Sequence, residues 1–402
     1  MYNFDQLADR KHDYSRKWCS NFVSEMYGEV PENYIGMSIA DMDFELAPPV
    51  VQGLQSLLGM KTLGYSYVYQ EFLEAISYWN QEKFQKQIPL ETILPFNGVV
   101  PSLNIICQSF AEPGDGVIIL SPVYGPFRKV AKNNRLNIIE CELELNRIGK
   151  YEINFEAFES LVKEHQPKIF IFCNPQNPSG RVWSREDIEK LANICLTNNI
   201  LFVSDEVHSD HIYEGVFTSA LSIDEKYLSN IIVANGPNKG FNFAGLQSSY
   251  LIILDEILRS KMIDAMERNV VLPPNNFAMA AIIAAYSVEG KEWLKNNYQY
   301  IIKNYQWIQS FINNEMPLIK SMPIEASYLL WLDVSQLGID GPTFTRRLAN
   351  EVGVLVQSGS DFGKAGQNYV RINIGTSMKM NQEAFHRIKS LYQNILLEKE
   401  GK

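Results

Sequence analysis

The sequence predicts an α/β protein: a large domain on a mostly parallel, helix-covered seven-stranded sheet, joined to a smaller α+β domain. Two observations carry this. From about residue 90 to 255, short apolar runs alternate with segments of helical spacing, and several runs are apolar at every position. Strands buried on both faces by helices have that character. After residue 285 the pattern gives way to one long amphipathic segment and then a different mixture of strands and helices.

The strand candidates, in order, are Ile93–Phe96, Val117–Leu120, Leu136–Ile139, Lys168–Phe172, Ile200–Val203, Ile231–Ala234 and Ser249–Leu254. Between them, the stretch from Arg185 to Asn198 places Ile188, Leu191, Ala192, Ile194 and Cys195 at helical spacing. Ser184 precedes it with Asp187 three residues on, which is a capping signal. Lys291 to Glu315 reads as a long helix ended by Pro317. Strand-like Tyr328–Val334, a helix opening at Gly341-Pro342, strand-like Tyr369–Ile374 and a helix from about Asn381 follow. The expected division is residues 1–45 packing with the small domain, 46–285 as the large domain, and 286–402 as the small C-terminal domain.

The chain has 402 residues, 46% hydrophobic and 20% charged, with a net charge of -10. That is enough chain for a large core and more than one domain. No basic patch favours nucleic acid, and no apolar run reaches the length of a membrane span. The N-terminus lacks a secretory pattern. Five scattered cysteines without metal spacing fit reduced thiols, and a cytoplasmic location is expected.

The chemistry centres on Gly236-Pro237-Asn238-Lys239-Gly240-Phe241-Asn242. It follows the apolar run Ile231–Ala234 and sets a lysine on the turn beyond a buried strand, where open α/β sheets bind ligands. Lys239 is therefore a candidate Schiff-base former, although a lysine near a turn is usually a solvated charge. Two upstream segments also end apolar runs. They are Phe172-Cys173-Asn174-Pro175-Gln176-Asn177-Pro178-Ser179-Gly180-Arg181 and Phe202-Val203-Ser204-Asp205-Glu206-Val207-His208. Together the three segments resemble the pyridoxal-phosphate site of the fold-type I aminotransferases.

On that resemblance each candidate acquires a role beside its plain structural one. Lys239 would bind the aldehyde of pyridoxal 5'-phosphate and act as general base at the substrate Cα. Asp205 would keep the pyridine nitrogen protonated; otherwise it is a turn or helix cap. Asn177, in a strong turn sequence, would present its amide to the phenolic oxygen. Tyr124 would stack on the pyridine face, or simply pack. Gly98, Val99 and Val100 supply a glycine turn and a helix start suited to a phosphate. His208 would line the cofactor pocket. Glu206, His208, Asp210 and His211 are dense enough to suggest a metal, but a strand-to-turn segment aims such side chains apart, so no metal is expected. Arg371, in the apolar run Tyr369–Ile374, would hold the substrate carboxylate as a bidentate donor, with a structural salt bridge as the alternative.

Over nearly its whole length the chain resembles the class I/II aminotransferase superfamily. It is most similar to the cystathionine β-lyase-like MalY/PatB branch of carbon–sulfur lyases. Ala40-Asp41-Met42-Asp43-Phe44, Gly64-Tyr65-Ser66-Tyr67, Asn97-Gly98-Val99-Val100-Pro101 and Ser204 to His208 carry the likeness. Lys239 to Asn242 with Ala244-Gly245-Leu246-Gln247, Ser327 to Asp333, and Gly359 to Gly363 running on to Arg371 complete it. The resemblance implies Ala40 at the substrate, and a homodimer in which Tyr65 reaches the neighbouring subunit's phosphate. From the residues alone, Tyr65, Tyr67 and Tyr69 read as one face of a strand. The chain departs from the family at Ser38, Asn238, Gly240 and Gln247, positions expected to touch the phosphate cup and the substrate pocket.

The expected function is β-elimination from a sulfur-containing amino acid, giving a thiol, pyruvate and ammonia. Transamination by the same residues is the alternative. A cofactor-bearing regulator acting through a protein partner is a third reading.

Overall fold

The computed structural model of the chain describes residues 2–10 and 12–401. Its large sheet has seven strands: β1 (Ile93–Phe96), β2 (Gly116–Ser121), β3 (Asn137–Glu142), β4 (Ile169–Cys173), β5 (Leu201–Asp205), β6 (Ile231–Asn235) and β7 (Ser249–Ile252). They lie in the order β1-β7-β6-β5-β4-β2-β3. β7 runs antiparallel to both neighbours, and the remaining pairs are parallel.

Side chains alternate across this sheet with period two. Ile118, Leu120, Phe170, Phe172, Phe202, Val233 and Tyr250 face one apolar layer with Phe158, Trp183 and Leu191. Val117, Ile119, Ile169, Ile171, Val203, Ile232 and Leu251 face the other, with Leu103, Phe127, Val130 and Met262. Both faces are therefore dry, which explains the continuous apolar runs in the sequence. β3 is the exception. It is an edge strand exposing Asn137, Glu140 and Glu142 while burying Ile139 and Cys141. Its half-polar pattern carries it beyond the expected Leu136–Ile139, whereas β1 at the other edge is buried along most of its length and follows the apolar-run rule.

The helix Arg185–Thr197 has the expected capping box, with Ser184 and Asp187 hydrogen-bonded reciprocally. The long helix runs over Val288–Glu315, and Ser287 Oγ accepts from Gly290 N–H at its start. The last helix, Met378–Glu400, likewise begins earlier than expected because Ser377 caps it. The last two of these helices and Gly341–Val352 accompany a smaller antiparallel sheet of β8 (Lys320–Ser321), β9 (Leu329–Asp333), β10 (Gln357–Ser358) and β11 (Tyr369–Asn373). Its order is β8-β9-β11-β10. Near the N-terminus, strand Ile35–Gly36 pairs in parallel with Val354–Leu355.

One expected strand does not form. Residues 61 to 69 form neither strand nor helix, and Tyr69 instead N-caps the helix Gln70–Phe84. Tyr65 and Tyr67 project into solvent. Alternating tyrosines make a strand only where another strand offers its hydrogen bonds, and among the described residues none pairs with this segment. Among the described residues, no helix is long and apolar enough to cross a membrane.

Candidate active site

The parallel strands aim their carboxyl ends at one edge of the large sheet, and the candidate residues gather there. β5 ends on Asp205, β4 leads into Asn177, β2 into Tyr124, β6 into Lys239 and β1 into Gly98. This is the crevice where open α/β sheets bind ligands. β11 brings Arg371 from the small sheet, and residues 38–44 pass between the Lys239 turn and β11.

Lys239 is half-buried, and its Nζ donates to the Ala40 carbonyl at 2.8 Å. No carboxylate lies within ion-pair distance of it among the described residues. Burial, and then the nearby Arg371 charge, push its amine down to about 8, against the opposing pull of Asp41 and Asp205. Such an amine is neutral far more often than a surface lysine, as a nucleophile or base must be.

Asp205 is buried, and its Oδ1 accepts from the Val207 N–H at 3.2 Å. The turn reading is thus correct as far as it goes. The carboxylate has no cationic partner in contact among the described residues, and burial raises it to about 7. A cationic ring nitrogen beside it would supply the missing charge.

Arg371 is also buried. Nη1 donates to Asn177 Oδ1 at 3.0 Å and Nη2 to the Ser38 carbonyl at 2.9 Å. Its plane lies over the Phe362 ring at 4.9 Å. Nε is buried without a partner, and no carboxylate pairs with the group among the described residues. The salt-bridge alternative is therefore not what the fold contains. Burial pushes the guanidinium down to about 10. A buried cation with a free donor suits an anionic ligand.

The Arg371 contact also orients its neighbours. With Asn177 Oδ1 accepting from Arg371, the amide nitrogen faces His208 Nε2 at 3.4 Å. Nε2 is then the acceptor, and the His208 proton sits on Nδ1, 3.2 Å from Ser327 Oγ. Burial, with the Lys239 and Arg371 charges, holds His208 well below its ordinary value, hence neutral. Ser327 has φ +73°, an uncommon conformation for a residue with a Cβ.

Gly98 has φ +110°, and its N–H donates to Ser249 Oγ at 3.0 Å. It opens the helix Val99–Phe110, whose first-turn N–H groups, those of Val99 and Val100 among them, have no side-chain cap. An uncapped N-terminus at the crevice fits a phosphate. Tyr124 is half-buried, with its N–H bonded to the Asn177 carbonyl at 3.1 Å. The uncapped turn, the unpaired Asp205 and the low amine of Lys239 fit pyridoxal phosphate. Tyr65 is fully exposed and is not brought to this crevice by its own chain.

The cluster after β5 disperses. Glu206 accepts from Ser204 and Ala220, Asp210 pairs with Lys83 at 2.8 Å, and His211 bonds Asn297 at 2.9 Å. No group of potential metal ligands forms among the described residues. Two sequence departures have local causes. A Cβ on Gly240 would come within 2.8 Å of Asp210 Cγ. Asn238 spends its side chain on the Ser248 carbonyl and hydroxyl, closing the turn.

Sequence reasoning assigned no role to the residues that hold Ala40. Asn373 Nδ2 bonds the Ile39 and Asp41 carbonyls at 2.6 Å each. Asn242 accepts from Met42 N–H at 2.7 Å and donates to the Met42 and Phe44 carbonyls. The buried Lys17 bonds the Asp41 carbonyl at 3.0 Å and pairs with Asp43 at 2.8 Å. Tyr328 Oη donates to the Ala40 carbonyl at 3.1 Å. An asparagine interrupting the apolar run beside Arg371 was the available signal for Asn373; nothing local marks Lys17.

The aminotransferase class I and II family model matches residues 32–388. Cystathionine beta-lyase PatB of Bacillus subtilis is 36% identical over 96% of this chain and 99% of its own length. Protein MalY of Escherichia coli is 27% identical over 93% of this chain and 95% of its own. Cystalysin from Treponema denticola, whose crystal structure contains a pyridoxal 5'-phosphate cofactor, superposes with a TM-score of 0.93. It is 31% identical, over 98% of this chain and all of its own. A chain with this crevice at the strand ends, matched over most of its length by that model, belongs to the class I and II aminotransferase family.

Proposed function

We propose that the protein is a pyridoxal-phosphate-dependent carbon–sulfur β-lyase. It would convert a cysteine S-conjugate such as cystathionine, with one water, into a thiol, pyruvate and ammonium. The observation that carries this is Arg371. It is a buried cation with no carboxylate partner among the described residues, beside a low-pKa lysine, in a chain 36% identical to a cystathionine β-lyase along its length.

Lys239 would hold the cofactor through its amine, Asp205 the pyridine nitrogen, and Asn177 the phenolic oxygen, with Tyr124 and His208 lining the ring. Gly98, Val99 and Val100 would receive the phosphate. When bound, the cofactor supplies an electron sink for charge developing at the substrate Cα. Arg371 orients the substrate by its carboxylate, so that the Cα–H faces Lys239. Once the substrate amine has taken its place, the freed Lys239 Nζ would take the Cα proton, and the Ala40 carbonyl would accept a hydrogen bond from the resulting ammonium. The Cβ–S bond breaks with its electron pair leaving on sulfur.

The 61–69 segment exposes Leu63, Tyr65 and Tyr67 beside Leu272 and Pro273. This supports a homodimer in which Tyr65 completes the partner's phosphate site. We take residues 46–285 and 286–402 as the two domains, with 1–45 on the smaller, and the location as cytoplasmic.

Purified holoenzyme given L-cystathionine should release pyruvate and free thiol. Borohydride should fix the cofactor on Lys239. Faster amino-group exchange with a keto acid than pyruvate release would make it an aminotransferase. Label on another lysine would remove the site assignment.

A further inference from the structure

We propose that Tyr328 is a positioning residue for Lys239. Its hydroxyl occupies one lone pair of the Ala40 carbonyl, and so sets where and how strongly that carbonyl holds the lysine amine. The proposal rests on reading Lys239 as the reactive amine.

A carbonyl oxygen accepts two hydrogen bonds along its lone pairs. At Ala40 both are taken, by Lys239 Nζ at 2.8 Å and Tyr328 Oη at 3.1 Å. The carbonyl itself has little freedom. Asn373 grips the carbonyls on either side, and Lys17 and Asn242 hold the next two residues. Tyr328 is fully buried, its ring edge-on to His211 at 5.6 Å. It sits just before β9, so its position is set by the small sheet rather than by the Lys239 turn. The fixed acceptor thus receives one donor from each sheet.

Electron density drawn by the tyrosine O–H is not available to the lysine. The Ala40 carbonyl therefore holds the ammonium form of Lys239 less tightly than a singly bonded carbonyl would. A hydrogen bond to the charged form favours that form. Removing the hydroxyl should strengthen the remaining bond and make the amine more basic. The other groups facing Lys239 are Asp205 at the end of β5, His208 on the turn beyond it, Arg371 on β11 and Asp41 on the N-terminal segment. None of them hydrogen-bonds the Tyr328 hydroxyl, so Tyr328→Phe leaves them in place.

The test reads the amine directly. Full-length protein prepared without cofactor is labelled with trace acetic anhydride across a pH series, and acetylation of Lys239 is followed by peptide mass spectrometry. Tyr328→Phe should move the Lys239 midpoint up by about half a pH unit, with the melting temperature and far-UV spectrum largely kept. A ring-fluorinated tyrosine at 328, a stronger donor, should move it down. An unmoved midpoint in folded Tyr328→Phe overturns the proposal. If the phenylalanine variant does not fold, the fluorinated protein decides alone, and a midpoint that stays or rises overturns it. Borohydride fixation on a different lysine would instead remove the premise about Lys239, leaving the labelling result to be judged separately.

Discussion

Arg371→Lys isolates what the guanidinium contributes. Arg371 spends Nη1 on Asn177 and Nη2 on Ser38, and keeps Nε free. An ammonium has no planar fork and cannot face Asn177, Ser38 and a carboxylate with the same geometry. A hydrogen bond to a charged group is worth about 1.5–3 kcal/mol. Losing one bond to the substrate, and about 1 kcal/mol more as the Asn177 amide loses its fixed orientation, amounts to roughly 2.5–4 kcal/mol. At 1.36 kcal/mol per factor of ten, kcat/KM should fall by about 10²–10³, with KM bearing much of it. The assay is pyruvate release from L-cystathionine over a range of concentrations. An S-substituted cysteamine, lacking the α-carboxylate, serves as control through the loss of its Cα proton. The control should be poor with either protein and insensitive to the substitution. A fall below about threefold would refute the reasoning, and so would an equal fall with the control.

Three further outcomes follow from the geometry. Asp205→Ala should keep the cofactor, seen by its visible absorbance, while turnover drops by about 10²-fold or more; near-normal turnover would reassign the pyridine partner. Gly240→Ala should cost roughly 3 kcal/mol in urea unfolding, because its Cβ displaces Asp210 from Lys83 and Trp79; combining it with Asp210→Ala should cost clearly less than the sum. Glu206 is buried, with one carboxylate oxygen unpartnered, and burial raises it from 4.5 to about 7. The folded state then binds the proton more tightly than the unfolded one, so this group's contribution weakens as pH rises from about 4.5 to 7, by roughly 3 kcal/mol. Comparing urea midpoints across that window, Glu206→Gln should flatten this component, and an unchanged slope would remove Glu206 as its source.

The parts legible in the sequence are those governed by local rules. Interior strands announce themselves as apolar runs because both sheet faces are dry, and Ser184 with Asp187 marks a helix start through bonds three residues apart. Lys239, Asp205 and Asn177 stand out because each follows such a run. β3 extends beyond its apolar run because this edge strand, unlike β1, shows water most of its side chains. The tyrosines at 65, 67 and 69 misled because alternation signals a strand only if a partner strand exists. The clamp on Ala40 was beyond reach. Lys17, Asn242, Tyr328 and Asn373 are scattered over some 350 positions, and each acts on backbone carbonyls, which carry no residue identity to read.

That clamp bears on how the protein is made. Lys239 meets Ala40 across 199 positions, but Asn373 meets Asp41 across 332. On the ribosome, the β6 turn and its lysine emerge long before β11 does. A chain of that length holds Lys239 and Asp205 but neither Arg371 nor the Asn373 that bonds the carbonyls on either side of Ala40. A chain ending between β7 and β11 would therefore leave the Ala40 carbonyl without that grip, and Lys239 without the Arg371 charge that helps lower its amine.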